Sequence, residues 1–79
     1  MPDLALERAH LAKADCDIAE GEKRIIAQTH RLECLRRDGH ETDQAELLLV
    51  NLQQTLAVWK THRDLIVQEI KRLEQMSAR

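Results

Sequence analysis

The sequence predicts an all-α fold, an antiparallel two-helix hairpin of the coiled-coil type, on three observations. Apolar residues in the second half of the chain recur at alternating steps of three and four, the spacing of a heptad seam. A third of the 79 residues are charged and aromatic side chains are nearly absent, a composition typical of long amphipathic helices. The segment Asp38-Gly39-His40 is the one credible break. We expect a single domain with helices over about residues 3–37 and 42–76 and a turn at 38–41.

The first helix is expected to begin near Asp3, whose carboxylate can accept hydrogen bonds from the first free N–H groups. Gly39 can adopt the left-handed conformation that ends a helix, and Thr42 is suited to cap the second helix. Because the connection is short, the helices must be antiparallel neighbours. The main stripe of helix one is Leu4, Leu11, Ile18, Ile25 and Leu32, with the small or polar companions Ala14, Gly21 and Gln28 and the apolar Leu35.

The seam of helix two is the strongest apolar pattern in the chain. In a hairpin with this turn, the numbers of facing residues sum to roughly 80, which places Trp59 beside Gly21. Glycine costs about 1 kcal/mol in mid-helix, so we expect Gly21 to make room for the indole and to keep it dry. The residues predicted to pack are Leu49, Leu52, Leu56, Trp59, Ile66, Ile70 and Leu73 of helix two with Ile18, Gly21 and Ile25 of helix one.

Arg63 is the one charged residue within the seam of helix two. We expect its stem to pack against apolar neighbours while its guanidinium pairs across the hairpin with Asp17 or Asp15, Asp17 being the preferred partner. A polar pair of this kind can fix the register of two helices. A ligand contact inside a bundle is the alternative role for Arg63.

The candidate chemical groups do not converge. Cys16 and Cys34 lie about 27 Å apart along one helix, too far for a disulfide within the chain, and reduced thiols fit a cytoplasmic location. His30 and Cys34 share a helix face, but a third metal ligand is not evident. A glycine-rich phosphate loop is also missing from the sequence. We predict no cofactor, no metal and no enzymatic activity.

Apolar residues outside the seam predict self-association. Their arc is wider than one hairpin can cover, so we expect two hairpins to form a homodimeric four-helix bundle about a two-fold axis. No apolar run approaches the length that spans a bilayer, which indicates a soluble protein with no membrane partner. The surplus residues are Ala5, Ala9, Ala12, Cys16, Ala19 and Ile26 in helix one, and Leu47, Leu48, Val50, Ala57, Val58, Leu65 and Val67 in helix two.

The leading functional hypothesis is therefore a structural or interaction protein that presents a helix face to another protein. The alternative is a small regulator that binds nucleic acid or an anionic ligand through an arginine cluster near the turn. The formal net charge of −2 argues against a generic nucleic-acid binder, which normally has a basic excess. The cluster consists of Arg24, Arg31, Arg36 and Arg37.

Three segments together carry a family resemblance: residues 20–25 (Glu-Gly-Glu-Lys-Arg-Ile), residues 37–42 (Arg-Asp-Gly-His-Glu-Thr) and residues 62–65 (His-Arg-Asp-Leu), the last preceded by Thr55-Leu56. In these the chain resembles a group of short bacterial helical-hairpin proteins of uncharacterised role that share an RDGH-x-T turn. The resemblance implies a bacterial source and makes Gly21 and the turn features of the type. It implies no ligand and no catalytic residue.

Overall fold

Residues 3–77 are described by the computed structural model, and they form two helices, α1 (Leu4–Arg37) and α2 (Asp43–Ser77). The helices run antiparallel along a rod of 64 × 16 × 15 Å. The predicted all-α hairpin is confirmed, and each predicted helix boundary lies within one residue of the observed one.

The turn forms because Gly39 adopts a left-handed backbone conformation with φ of +76°. The N–H of Gly39 donates to the carbonyl of Arg36 (3.2 Å), and the N–H of His40 donates to the carbonyl of Leu35 (2.9 Å). This pair of hydrogen bonds is a Schellman motif, which satisfies carbonyl groups left free at the end of α1. The local sequence thus dictates where α1 stops.

The two helix starts differ in their capping. Asp3 caps α1 as predicted, because its Oδ1 accepts a hydrogen bond from the N–H of Ala5 at 3.0 Å. At α2 the carbonyl of Thr42 accepts from the N–H of Glu46 (2.8 Å), and the Thr42 hydroxyl donates to Glu46 Oε1 (3.1 Å). Thr42 therefore occupies the predicted N-cap position, but its hydroxyl donates a hydrogen bond to a carboxylate.

Gly21 lies against Trp59, as the hairpin register predicted. A Cβ built on Gly21 would lie 3.3 Å from Trp59 Cζ3 and 3.3 Å from Leu56 Cδ1, which is tighter than ordinary van der Waals contact. The expectation that the indole is dry is wrong for the single chain, because Trp59 is only half-buried. Two helices form a single layer of contact, so the described residues leave part of the ring exposed to solvent.

The core of the hairpin is narrow. Of the predicted packing residues, Leu56, Ile66, Ile70 and Gly21 are buried. The others are half-buried along the same seam, namely Leu49, Leu52, Trp59, Leu73, Ile18 and Ile25. The buried apolar side chains of the described chain are Leu32, Ala45, Leu56, Ile66 and Ile70.

Candidate interaction surface

One long side of the hairpin carries the ion pairs that link α1 with α2 among residues 3–77, and we call it the ion-paired side. Its α1 members recur at multiples of seven residues, so they line one edge of the helix beside the seam, where coiled coils place interhelical charges. Along the rod the pairs are Arg8–Glu74 (3.8 Å), Asp15–Arg63, Glu22–Lys60 (3.9 Å) and Arg36–Glu46 (2.9 Å).

Arg63 pairs with Asp15, so the preference for Asp17 was wrong. Asp15 lies on the same edge of α1 as the other ion-paired residues. Asp17 is two residues further on, about 200° around the helix, where Lys13 Nζ approaches its carboxylate at 3.1 Å. The hydrogen bond to Asp15 raises the pKa of the Arg63 guanidinium above its usual value.

The end of the ion-paired side nearest the turn is tied by Glu46. Its carboxylate accepts hydrogen bonds from Arg36 Nη2 (2.9 Å) and from the Thr42 hydroxyl (3.1 Å). These two bonds, that from Arg36 first, lower the pKa of Glu46 below its usual value. One side chain thereby joins α1, the turn and the first turn of α2.

The opposite side is open, and we call it the groove side. No interhelical ion pair crosses it within the described part of the chain. Shallow clefts follow it, among them one of about 510 Å³ nearer the turn and one of about 440 Å³ nearer the chain ends. The first is lined by Arg24, Ala27, Gln28, Arg31, Leu48 and Leu52. The second is lined by Glu7, His10, Lys13, Ala14, Asp17, His62 and Ile66.

Helix α2 presents a second heptad stripe on the groove side, at Leu48, Asn51, Thr55, Val58, His62 and Leu65. Each of its members directly precedes a residue of the hairpin seam, so the stripe lies about 100° around α2 from that seam. Its apolar members are exposed, Leu48 by 48%, Val58 by 66% and Leu65 by 57%. Two apolar stripes roughly a right angle apart are what a helix needs to contact two neighbours in a four-helix bundle.

The predicted arginine cluster is divided by the fold. Arg36 and Arg37 are each held by a carboxylate of the chain, at 2.9 and 3.7 Å. Arg24 and Arg31, seven residues apart, line the cleft nearer the turn and form no ion pair with any residue from 3 to 77. Two of the four guanidinium groups are therefore free to meet an anionic group from outside the chain.

The thiol and imidazole groups stay apart from one another except at one point. Cys34 Sγ lies 3.6 Å from His30 Nε2, and Cys16 is exposed further along α1. No group of three or more potential metal ligands occurs among residues 3–77. Within the described chain, the pair of His30 and Cys34 therefore offers a metal ion no more than two neighbouring ligands.

Sequence reasoning missed the role of Gln28. Its Nε2 donates to the carbonyl of Ala45 at 3.0 Å, and the side chain is only 8% exposed. A polar residue at a position where a heptad seam calls for an apolar one was the available signal. Gln28 joins the two helices near the turn as Arg63 joins them near the chain ends.

Comparison of the chain with protein-family models, with curated proteins and with solved structures finds no match. The resemblance to short bacterial hairpin proteins therefore stays a prediction. Neither helix combines the length and the apolar character needed to cross a bilayer, as judged over residues 3–77.

Proposed function

We propose that this chain is a small non-enzymatic protein of the bacterial cytoplasm that acts through protein–protein interaction and self-associates as a homodimer. The observation that supports this most directly is the second stripe of α2. It repeats the spacing of the hairpin seam, yet its apolar members Leu48, Val58 and Leu65 are about half exposed or more. Apolar residues at heptad spacing form a helix-packing surface, and α1 does not cover these three.

The size of the core supports the same proposal. A single core in a chain of about 70–80 residues rarely supplies more than about 3–5 kcal/mol, and oligomerisation is one of the usual remedies. Among residues 3–77 the buried apolar side chains number five, and one of them is an alanine. Burying the second stripe against another helix adds apolar contact without any change in the hairpin.

Light scattering coupled to size-exclusion chromatography, run as a dilution series, tests the homodimer. The chain has a mass of 9.2 kDa, and we expect twice that mass at micromolar concentration. Circular dichroism of the same samples reports whether helix content is retained on dilution. A fully helical species of 9.2 kDa at micromolar concentration contradicts the homodimer.

A second candidate function is binding of an anionic ligand or nucleic acid. Its support is the pair Arg24 and Arg31 in the cleft nearer the turn, neither held by a carboxylate of the described chain. Binding to a mixed DNA and RNA pool should then weaken steeply as salt rises. Replacing both arginines with glutamine should abolish it, whereas Arg37→Gln serves as the control. Absence of binding at low salt rules this function out.

A further inference from the structure

We infer that the second copy of the chain packs on the groove side as an antiparallel partner, so that the dimer is a four-helix bundle with its two turns at opposite ends. This inference rests on the proposed homodimer and specifies its face, its symmetry and its register. In this arrangement α2 contacts α2 of the partner through the second stripe, and α1 runs beside α1 of the partner.

The spacing of the second stripe fixes the register of the two α2 helices. A heptad stripe consists of two alternating positions. In an antiparallel coiled coil, a residue at one of these positions faces a residue at the other position in the partner helix. A two-fold axis that crosses α2 between Leu56 and Ala57 sets Leu48 against the partner's Leu65. It also sets Thr55 against the partner's Val58. Val58 and Leu65, the most exposed apolar residues of the stripe, are then each covered by a residue of the partner's stripe.

Charge distinguishes this register from its neighbours. The same axis brings Arg72 near the partner's Glu41, which lies just ahead of α2. Sliding the partner by one heptad in one direction sets Leu48 against the partner's Arg72. Sliding it in the other direction sets Leu65 against the partner's Glu41. Each alternative therefore places a charged residue opposite a leucine, which is unfavourable.

Arg72 can reach outside its own helix while keeping its present contacts. Its Nε and Nη2 atoms donate to the carboxylate of Glu69 at 3.0 and 2.5 Å. A guanidinium carries five N–H donors, so donors remain for the partner's Glu41. The side chain of Arg72 is half exposed, as a group at the rim of an interface should be.

Helix α1 favours the antiparallel arrangement for the same reason. On the groove side Arg31 lies nearer the turn and Arg24 near the middle of α1. Asp17 and Glu20 lie nearer the chain ends, where Lys13 approaches Asp17 at 3.1 Å. Facing residues of the hairpin have numbers that sum to roughly 80, so the two-fold axis meets α1 near Arg24. It brings Arg31 towards the partner's Asp17 and sets Arg24 beside the partner's Arg24. With both turns at one end, Arg31 would instead face an apolar residue, Leu48 of the partner subunit. The approach of Arg31 to the partner's Asp17 thus favours turns at opposite ends.

The face is tested by two matched substitutions of exposed apolar residues. Val58→Glu introduces a carboxylate at the centre of the proposed interface, and Ile26→Glu introduces the same group at an equally exposed site of α1, 69% against 66%. We expect Val58→Glu to raise the dimer dissociation constant by at least about tenfold, the equivalent of 1.4 kcal/mol. Ile26→Glu should leave the dissociation constant within about twofold.

A strengthening variant keeps the test decisive if Val58→Glu fails to fold. Thr55→Leu adds apolar surface opposite the partner's Val58, so we expect it to lower the dissociation constant several-fold and to leave the mass at that of a dimer. If neither Val58→Glu nor Thr55→Leu changes the dissociation constant of the dimer, the proposed face is wrong. The homodimer itself is not contradicted by that result. A folded monomeric parent protein overturns the homodimer itself.

The orientation is tested with a spin label at the turn. We would place it at His40→Cys in a chain with Cys16→Ser and Cys34→Ser. At 1.5 Å per residue the proposed axis lies about 25 Å from the turn, so the two labels should be about 50 Å apart. A distance below about 25 Å means that both turns lie at one end, and it overturns the antiparallel arrangement.

Discussion

Both long sides of the hairpin are formed by the same two helices, but the residues that flank the seam differ between the two sides. On the ion-paired side, four pairs of opposite charges bridge α1 and α2 along the rod. On the groove side no described ion pair bridges the helices, and apolar residues of α2 continue outward from the seam. A helical hairpin can therefore be closed by charge on one edge while its other edge stays available for another helix.

The physical reason lies in the width of the apolar arc on α2. A helix that packs against a single neighbour needs one apolar stripe, and charged residues can then flank it on both edges. Over residues 48–65, α2 has a second stripe one residue before the first, so no Asp, Glu, Lys or Arg flanks the seam on that edge.

Leu56→Ala should have the largest effect, because Leu56 lies in the seam that both sides share and is 9% exposed. Removing a buried leucine leaves a cavity and costs about 2–5 kcal/mol. Urea unfolding at fixed protein concentration measures the loss. Leu47→Ala, at a site that is 56% exposed, is the control and should change the free energy of unfolding by about 0.5 kcal/mol or less.

Gly21→Leu should have the second-largest effect on the stability of the hairpin. Even a Cβ at Gly21 would lie 3.3 Å from both Trp59 and Leu56, so a leucine forces the helices apart or the ring outward. Overpacking of this kind costs about 1–3 kcal/mol. The emission maximum of Trp59 should move to longer wavelength, whereas Lys23→Leu should not move it. An unchanged spectrum for Gly21→Leu means that Trp59 does not rest on Gly21.

Gln28→Glu should destabilise the hairpin near the turn, because a carboxylate cannot donate to the carbonyl of Ala45 and would face it at close range. The expected cost is about 1–3 kcal/mol. Gln28→Met removes the donor without adding a charge and should cost much less. Equal losses for the two variants would show that the donated hydrogen bond, and not the buried charge, dominates at this site.

Charge reversal on the ion-paired side should have a small effect. Glu22→Lys sets two cations together and should cost about 0.2–1 kcal/mol, as for other exposed pairs. The double variant Glu22→Lys/Lys60→Glu should recover most of that loss, and the loss itself should shrink at high salt. A cost that is independent of salt would mean that Glu22 contributes through packing.

The smallest effect is expected for the acid titration of Glu46. Hydrogen bonds from Arg36 and then Thr42 lower its pKa in the folded chain, so folding favours the ionised form. That contribution is complete above the ordinary value of 4.5 and is lost as the pH falls through the lowered value. The stability difference between the parent chain and Glu46→Gln should therefore narrow below pH 4.5. A difference that stays constant with pH contradicts this assignment.

Much of the fold could be predicted because its determinants are local. Gly39 ends α1, Asp3 starts it, and a short turn leaves the helices no arrangement other than antiparallel. The contact of Trp59 with Gly21 followed from that register alone. The partner of Arg63 did not, because choosing Asp15 over Asp17 requires the rotation of α1 about its own axis.

The candidate interaction surface was only partly accessible from the sequence. The surplus of apolar residues on α2 was visible, and so was the need for another helix. The ion-paired side was not recognised, although the sevenfold spacing of its α1 members was available as a signal. Which edge of the hairpin is closed depends on how the two helices face each other, and periodicity alone does not give that angle.

The sequence by itself determined two helices, their boundaries, the site of the turn and the residues of the seam. These follow from heptad spacing and capping, which act within a few residues along one chain. The tertiary structure decided which carboxylate meets Arg63, how far Trp59 is covered and which side is left open. Those features depend on the relative rotation of α1 and α2, a quantity that is set only when the two helices pack.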